Sequence, residues 1–167
     1  MKRYALAQIP FFVYGTLIPG QPNDHLWRGG IRSVETAVFP NGILYDMGHY
    51  PMLVEKEGGV VRGKLISVAN GLYEEILSRL DHLEGYIPDQ PSKSSYKRIK
   101  REVTTDKGQR SLSWLYIGRQ KQAQKRRVIP GGDWVLYAAS RRGNIDNWWE
   151  NIDTVHGLHN GAEGSGT

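Results

Sequence analysis

Residues 70–86 read NGLYEEILSRLDHLEGY, and they carry the clearest helical pattern in the chain. Their apolar side chains recur at the spacing of one helix face: Leu72, Ile76, Leu77, Leu80 and Leu83. Asn70 is a residue type that often caps the start of a helix, and Gly85 stands where a glycine commonly ends one. We therefore predict a helix between Asn70 and Gly85 that turns its leucine stripe toward the core.

Short apolar runs bounded by turn residues lie on both sides of this helix. We predict strands over residues 9–14, 42–46, 52–54, 60–68, 96–105 and 112–117. The last two runs are joined by a turn-rich connection at residues 106–108, which favours a hairpin.

The remaining segments show weaker patterns. Residues 21–40 are mixed, and we predict only one helical turn there, opening at Asn23. Further helices are predicted after Asp133 and around Trp148 and Trp149. Strands and helices do not alternate regularly along the chain, so the pattern favours an α+β fold with a mixed or antiparallel sheet.

The chain has 167 residues, of which 39% are hydrophobic and 23% charged. These values favour one globular domain over residues 1–155, followed by a flexible Gly/Ser/Asn-rich tail over residues 156–167. No stretch reaches the roughly 20 apolar residues that a membrane crossing requires. The apolar start of the chain is interrupted at Gln8 and Pro10 and leads into the first predicted strand. We therefore expect no cleavable leader and a cytoplasmic location.

The chain contains no cysteine, which excludes disulfides, thiolate nucleophiles, iron–sulfur clusters and cysteine-containing zinc sites. His82 and Glu84 match the His-x-Glu half of the zinc deaminase motif, but the cysteine half of that motif cannot exist here. His25, His49 and His82 match no metal-ligand spacing, so we predict no metal site.

The formal net charge is +5, and basic residues concentrate over residues 93–101 and 119–127. Such a surface can bind nucleic acid or attract anionic small molecules. Two solvated basic faces are the simpler interpretation, and we favour it.

Glu84 is the leading candidate for chemistry, because it lies in the last turn of the predicted helix, one step round from the leucine stripe. The carbonyl end of a helix disfavours an anion, and partial burial would raise the pKa of this carboxyl group further. A glutamate whose pKa lies near neutrality is a competent general base. The alternative is an exposed helix-end glutamate paired with a nearby Lys or Arg. Asp81 is close enough to couple with Glu84, although taken alone it has the pattern of a surface residue.

A second candidate is the loop after the first strand, formed by Tyr14, Gly15, Thr16 and Leu17. A strand that ends in a glycine-containing turn exposes consecutive backbone N–H groups, and these suit an anion such as a carboxylate. The alternative is an ordinary strand-ending turn.

Taken in order, these segments resemble the gamma-glutamylcyclotransferase-like family over roughly residues 11–135. The helix end over residues 80–86 resembles the family signature that carries a catalytic glutamate, and residues 12–17 resemble the opening strand and loop. Further resemblances lie at Asn23 with His25, residues 42–46 with Tyr50 and Pro51, and residues 61–68, 96–98, 114–116 and 132–134. Two features depart from the family. Lys64 stands where many members have glutamate, which we expect to alter one wall of the pocket, and the basic segment 119–127 is atypical.

The resemblance implies a small mixed β-barrel flanked by helices, with a cavity between the Tyr14–Leu17 loop and Glu84. It also implies a reaction in which the free α-amine of a γ-glutamyl group attacks its own side-chain carbonyl, releasing an amine and 5-oxoproline. In that reaction Glu84 transfers the protons and the loop binds the substrate, without a metal or organic cofactor. We accordingly expect a monomer whose partner is a small-molecule γ-glutamyl amine or ε-linked γ-glutamyl-lysine, with no membrane partner.

Two other functions stay open. The first is a non-catalytic module that binds nucleic acid or an anionic ligand through its basic surface, with Tyr96 available to stack on a base; we favour it less. Its basic residues would be Lys93, Lys97, Arg98, Lys100, Arg101, Lys125, Arg126 and Arg127. The second is an amide hydrolase that uses the same cavity and releases free glutamate.

Overall fold

The computed structural model describes residues 8–90, 94 and 96–141. Its strands are β1 (Phe11–Val13), β2 (Ile31–Phe39), β3 (Gly42–Asp46), β4 (Pro51–Glu55), β5 (Val61–Val68), β6 (Lys97–Thr105), β7 (Arg110–Ile117) and β8 (Arg127–Val128). The main helix is α1 (Tyr73–Glu84), and α2 (Gln120–Ala123) is a single turn. Short 3-10 turns lie at Asp24–Trp27 and Pro130–Gly132.

Five strands close a barrel in the order β1-β5-β2-β6-β7. Its strands pair antiparallel except where β1 runs parallel to β7, with Phe11 opposite Trp114. β4, β3 and β8 form a second sheet in that order. The predicted α+β class and small mixed barrel are confirmed.

The core joins the barrel to α1. Phe11 on β1 is 1% exposed, and its ring centroid lies 5.9 Å from that of Trp27 and 5.5 Å from that of Tyr73. Ile76 and Leu80 are the fully buried aliphatic side chains of α1 and belong to the same apolar cluster. Burial of each such side chain stabilises the fold by about 1.5–3 kcal/mol. The packing of this face therefore fixes the position of α1, and so of its last turn, against the barrel.

The structure corrects the prediction at both ends of α1. The helix begins at Tyr73 with Leu72 at the N-cap and no capping side-chain hydrogen bond, so the predicted Asn70 cap is wrong. Leu83 is 39% exposed, so it does not belong to the buried stripe. The predicted helix end at Gly85 is confirmed.

The segment 21–40 contains a strand that the sequence pattern missed. The predicted helical turn exists at Asp24–Trp27, but β2 follows it directly. Only Ala37 and Phe39 are buried in β2, and the pairing with β5 is irregular between Ile31 and Ser33. A strand that has few buried side chains and is interrupted in register gives little alternation for a sequence pattern to detect.

The chain divides into two compact units, Met1–Trp134 and Val135–Thr167. The first unit contains all the strands given above. Residues 134–141 are helical, which confirms the helix predicted after Asp133. The helix predicted around Trp148 and the tail over residues 156–167 lie outside the described residues, and the single domain over residues 1–155 stays a prediction. Within the described part of the chain, no helix has both the length and the apolar character needed to cross a membrane.

Candidate active site

The backbone at the end of α1 holds Glu84 in a defined position. Gly85 follows it with a φ of 66°, in the left-handed region that glycine adopts without steric cost. The N–H of Tyr86 donates to the carbonyl of Asp81 at 2.9 Å, and the N–H of Gly85 donates to the carbonyl of His82 at 3.2 Å. This pair of bonds is a Schellman motif, which closes the helix directly after the carboxylate.

The loop after β1 is tied to the segment behind it. Asn23 donates twice to Thr16, from its N–H to the carbonyl at 2.9 Å and from Nδ2 to Oγ1 at 2.8 Å. The indole Nε1 of Trp27 donates to the carbonyl of Leu17 at 2.8 Å. These hydrogen bonds occupy the carbonyl oxygens of Thr16 and Leu17 and the hydroxyl of Thr16, and they hold the loop in one conformation.

The backbone N–H groups of the same loop remain available to a ligand. Among the described residues, the N–H groups of Gly15, Thr16 and Leu17 donate to no protein acceptor. Gly15 also has no room for a side chain, because a Cβ there would lie 2.7 Å from Cγ of Pro51. The loop therefore has a short run of backbone N–H groups that no protein acceptor uses, and its role in anion binding stays a prediction.

A cavity of about 650 Å³ brings the loop and Glu84 together. All five predicted site residues line it: Tyr14, Gly15, Thr16, Leu17 and Glu84. The sequence did not predict a role in this cavity for the other lining residues, of which Tyr96 is considered only for stacking on a base and His49 only for a metal site: Phe12, Val13, Pro22, Asn23, His49, Tyr50, Pro51, Leu83, Gly85, Tyr96 and Tyr116. Most of these are apolar or aromatic, so the cavity holds a carboxylate in a weakly polar surrounding.

The Glu84 carboxyl group is enclosed by protein on nearly every side while part of it stays accessible to the cavity. Burial is the cause that raises its pKa from 4.5 to about 8. Among the described residues, no hydrogen bond or ion pair engages its side chain. The alternative of an exposed glutamate paired with Lys or Arg is therefore wrong.

Three tyrosines line the cavity around Glu84 and donate their hydroxyl protons away from it. Tyr14 donates to the carbonyl of Tyr116 at 2.6 Å, and Tyr96 donates to the carbonyl of Pro51 at 3.2 Å. Tyr116 donates to the carboxylate of Asp81 at 2.6 Å. Burial raises the pKa of all three phenols above the ordinary value of 10, and the negative charge of Glu84 raises them further. All three are therefore neutral at physiological pH.

Asp81 is buried, so its prediction as a surface residue is wrong. Nε of Arg98, on β6, donates to Oδ1 of Asp81 at 2.9 Å. The guanidinium lies 4.3 Å from the ring centroid of Trp114 and 5.2 Å from that of Tyr86. This pair anchors the last turn of α1 to the barrel.

Lys64 does not line the cavity, contrary to expectation. Its Nζ donates to Oγ1 of Thr36 at 2.9 Å, between neighbouring strands β5 and β2. The basic segment 119–127 forms α2, a short connection and the first residue of the edge strand β8.

The fold and the cavity define a small barrel protein in which a buried glutamate faces a loop of backbone donors. The family model for gamma-glutamyl cyclotransferase, AIG2-like proteins, matches residues 11–136. The chain therefore belongs to the gamma-glutamyl cyclotransferase, AIG2-like family, and it is an enzyme of this type.

Individual relatives agree with this assignment. The gamma-L-glutamyl-butirosin B gamma-glutamyl cyclotransferase of Niallia circulans is 30% identical over 148 residues, which cover 88% of this chain and 86% of that protein. A protein of Halalkalibacterium halodurans, provisionally named a gamma-glutamylcyclotransferase, is 32% identical over 114 residues, which cover 68% of this chain and 96% of that protein.

Solved structures share the fold. YkqA from Bacillus subtilis matches with a TM-score of 0.60 at 23% identity, over 81% of this chain and 42% of YkqA. A mouse AIG2-like protein matches with a TM-score of 0.54 at 22% identity, over 75% of this chain and 93% of that protein.

Proposed function

We propose that this enzyme cyclises a γ-glutamyl amine, or an ε-linked γ-glutamyl-lysine, to 5-oxoproline and releases the amine. The observation that carries the proposal is the position of Glu84, whose carboxyl group has a raised pKa and shares one cavity with the donor loop. The name of the Niallia circulans relative specifies a γ-glutamyl group on butirosin B, which supports a γ-glutamyl amine as the substrate.

In the proposed reaction, Glu84 transfers two protons, one after the other, from the attacking nitrogen to the departing one. The carboxylate first accepts a proton from the substrate's α-ammonium group. The free amine then attacks the γ-carbonyl carbon and forms the five-membered ring. As the bond from that carbon to the departing nitrogen breaks, the Glu84 carboxylic acid gives this first proton to the departing nitrogen. The regenerated carboxylate then accepts the second proton from the ring nitrogen and passes it to the released amine, which leaves as an ammonium ion. Atoms and charge balance without water, metal or redox cofactor.

The chemistry explains why one carboxyl group is enough. The nucleophile and the carbonyl belong to the same molecule, and well-oriented intramolecular reactions reach effective molarities of about 10⁵–10⁸ M. Proton transfer is the remaining difficulty, and a general acid–base group contributes about 10²–10⁴ in rate. A pKa of about 8 lets Glu84 act in both directions near neutral pH.

The loop has the complementary role in this proposal. The N–H groups of Gly15, Thr16 and Leu17 would hold the substrate's α-carboxylate, so that the α-amine turns toward Glu84. The pairing of Asn23 with Thr16 supports this role, because it keeps the loop in one shape before substrate binds.

The test is an assay of 5-oxoproline release from a panel of γ-glutamyl amines, with wild-type protein and the Glu84→Gln variant. We expect Glu84→Gln to lower kcat by about 10²–10⁴, because glutamine cannot accept and return the proton. Glu74→Gln, on the exposed face of the same helix, is the matched control and should leave kcat unchanged. Undiminished turnover by Glu84→Gln would remove Glu84 from the mechanism.

The same assay separates cyclisation from amide hydrolysis, because a hydrolase would release free glutamate in place of 5-oxoproline.

We further propose that the protein acts as a cytoplasmic monomer.

A further inference from the structure

We propose that Tyr116 accepts a hydrogen bond from the substrate's α-ammonium group, and that the buried pair Asp81–Arg98 orients its hydroxyl for this task. The inference rests on the proposed function, because it assigns a second residue to the amine that Glu84 deprotonates. Tyr116 would contact the substrate directly, whereas Asp81 and Arg98 would be positioning residues.

The hydrogen bonds determine which way the Tyr116 hydroxyl proton points. Its hydroxyl lies 2.6 Å from Oδ1 of Asp81, and the same Oδ1 accepts from Nε of Arg98 at 2.9 Å. An ionised carboxylate only accepts hydrogen bonds and a guanidinium only donates them. The single proton of Tyr116 is therefore committed to Asp81, and the hydroxyl oxygen keeps acceptor capacity for a ligand.

Two further hydroxyls in the cavity follow the same rule. The protons of Tyr14 and Tyr96 go to the backbone carbonyls of Tyr116 and Pro51, which accept only. The polar groups of the wall around Glu84 are thus the Glu84 carboxyl group and three tyrosine hydroxyls, each of which already donates its proton to a protein acceptor. When Glu84 is ionised, such a wall offers only acceptors to a ligand.

This polarity fits a primary ammonium group, which has three N–H donors and no acceptor. It does not fit a carboxylate, which the opposite wall suits through the backbone donors of Gly15, Thr16 and Leu17. The two walls therefore set the direction in which an α-amino acid group can bind, with its amine toward Glu84 and Tyr116.

The surroundings of Arg98 explain why an ion pair can serve this purpose inside the protein. Its guanidinium carbon lies 4.3 Å from the ring centroid of Trp114, and its Nε donates a hydrogen bond to Asp81. In the register of β6 and β7, Arg98 lies opposite Tyr116. A planar, permanently charged group that stacks and donates at the same time holds the Asp81 side chain in one position, which lysine cannot do in the same way.

The experiment compares two ligands that differ only in the α-amine, L-glutamine and glutaramic acid, by calorimetric titration. Wild-type protein should prefer L-glutamine. Tyr116→Phe should weaken L-glutamine binding by about 10-fold to 100-fold, the usual range for a hydrogen bond to a charged group, and leave glutaramic acid binding unchanged.

Tyr73→Phe is the matched control. The Tyr73 hydroxyl also makes two partly buried hydrogen bonds, to the carbonyl of Ile9 at 2.7 Å and from Nε1 of Trp114 at 2.8 Å, but Tyr73 is outside the cavity lining. It should preserve the preference for L-glutamine. Equal binding of the two ligands by wild type, or equal weakening of both by Tyr116→Phe, would overturn the proposal.

A double-mutant cycle tests the positioning role. Asp81→Asn should raise KM for the γ-glutamyl substrate, and adding it to Tyr116→Phe should cause no further rise, because both act through one hydroxyl. Strictly additive effects would show that Asp81 does not act through Tyr116. A wild-type protein that prefers L-glutamine yet releases no 5-oxoproline would refute the proposed function and leave the amine site standing.

Discussion

At the scale of single residues, Glu84 is costly to the fold and useful to the site for the same reason. Burial without a hydrogen-bonding partner disfavours its ionised form, so the native state holds a proton that the unfolded chain has already lost. Stability is therefore lost as pH rises from the unfolded pKa of about 4.5 to the folded pKa of about 8.

This linkage predicts a stabilising substitution. Glu84→Gln should raise the free energy of unfolding by an amount that grows from nearly zero at pH 4.5 to the order of a few kcal/mol above pH 8, where the wild-type carboxylate is ionised inside the protein. Denaturant titrations at several pH values measure it. Glu74→Gln should show no such pH-dependent gain, because Glu74 is exposed. A pH-independent difference between Glu84→Gln and wild type would contradict the burial of residue 84.

The same pKa predicts the pH dependence of catalysis. Glu84 must lose its proton before it can accept one from the substrate, so kcat/KM should rise with pH and level off above about 8. Initial rates from pH 5.5 to 9 give the profile of the free enzyme. A kcat/KM that stays level across this range would mean that the acting carboxyl group is exposed to water and titrates below it.

At the scale of elements, the end of α1 places the catalytic candidate. Its last turn is fastened twice, by the Schellman bonds of the backbone and by the side chain of Asp81 on Arg98. The loop after β1 is fastened in a comparable way by Asn23 and Trp27. The two elements that line the cavity are thus each held by hydrogen bonds that do not depend on a ligand.

Two glycine variants distinguish the effect of the helix end on kcat from the loss of stability that backbone strain causes anywhere in the fold. Gly85 and Gly108 both have positive φ, 66° and 79°, but Gly108 lies in the turn between β6 and β7, outside the cavity lining. Alanine at either site should cost about 1 kcal/mol of stability, since an L side chain is strained in this region. Gly85→Ala alone should also lower kcat, by shifting Glu84. Thermal melts and 5-oxoproline assays measure the two effects, and a similar fall in kcat for Gly108→Ala would indicate a non-specific effect.

At the scale of the whole molecule, the net charge is +5, and two of the basic residues proposed for nucleic-acid binding are engaged in ion pairs. Arg98 is paired with Asp81, and Arg101 binds Glu55 through two nitrogens at 2.7 and 2.9 Å. Tyr96, the residue predicted to stack on a base, is 7% exposed and lines the cavity. Lys93 lies outside the described residues.

This distribution predicts weak, purely electrostatic contact with nucleic acid. A fluorescent oligonucleotide should bind detectably only at low salt, and binding should disappear near physiological ionic strength. Replacing the exposed Lys97 and Lys100 with glutamate should abolish the residual contact and leave 5-oxoproline release unchanged. Tight binding at physiological salt would revive the nucleic-acid-binding alternative.

The sequence by itself determined the local features. The leucine period and Gly85 predicted the body and the end of α1, the apolar runs predicted most strands, and the order of motifs pointed to the family. These properties depend on near neighbours along the chain, so a one-dimensional pattern contains them. Such a pattern also drew attention to Glu84 and to the loop from Tyr14 to Leu17.

Only the tertiary structure decided how these pieces meet. Asp81 has the pattern of a surface residue until Arg98 and Tyr116, 17 and 35 positions away, enclose it. Strand β2 was missed because few of its side chains are buried, and the barrel closes through one parallel contact of the three-residue β1. Burial of a charge and the direction of a hydroxyl proton depend on partners brought together by folding, and no local period records them.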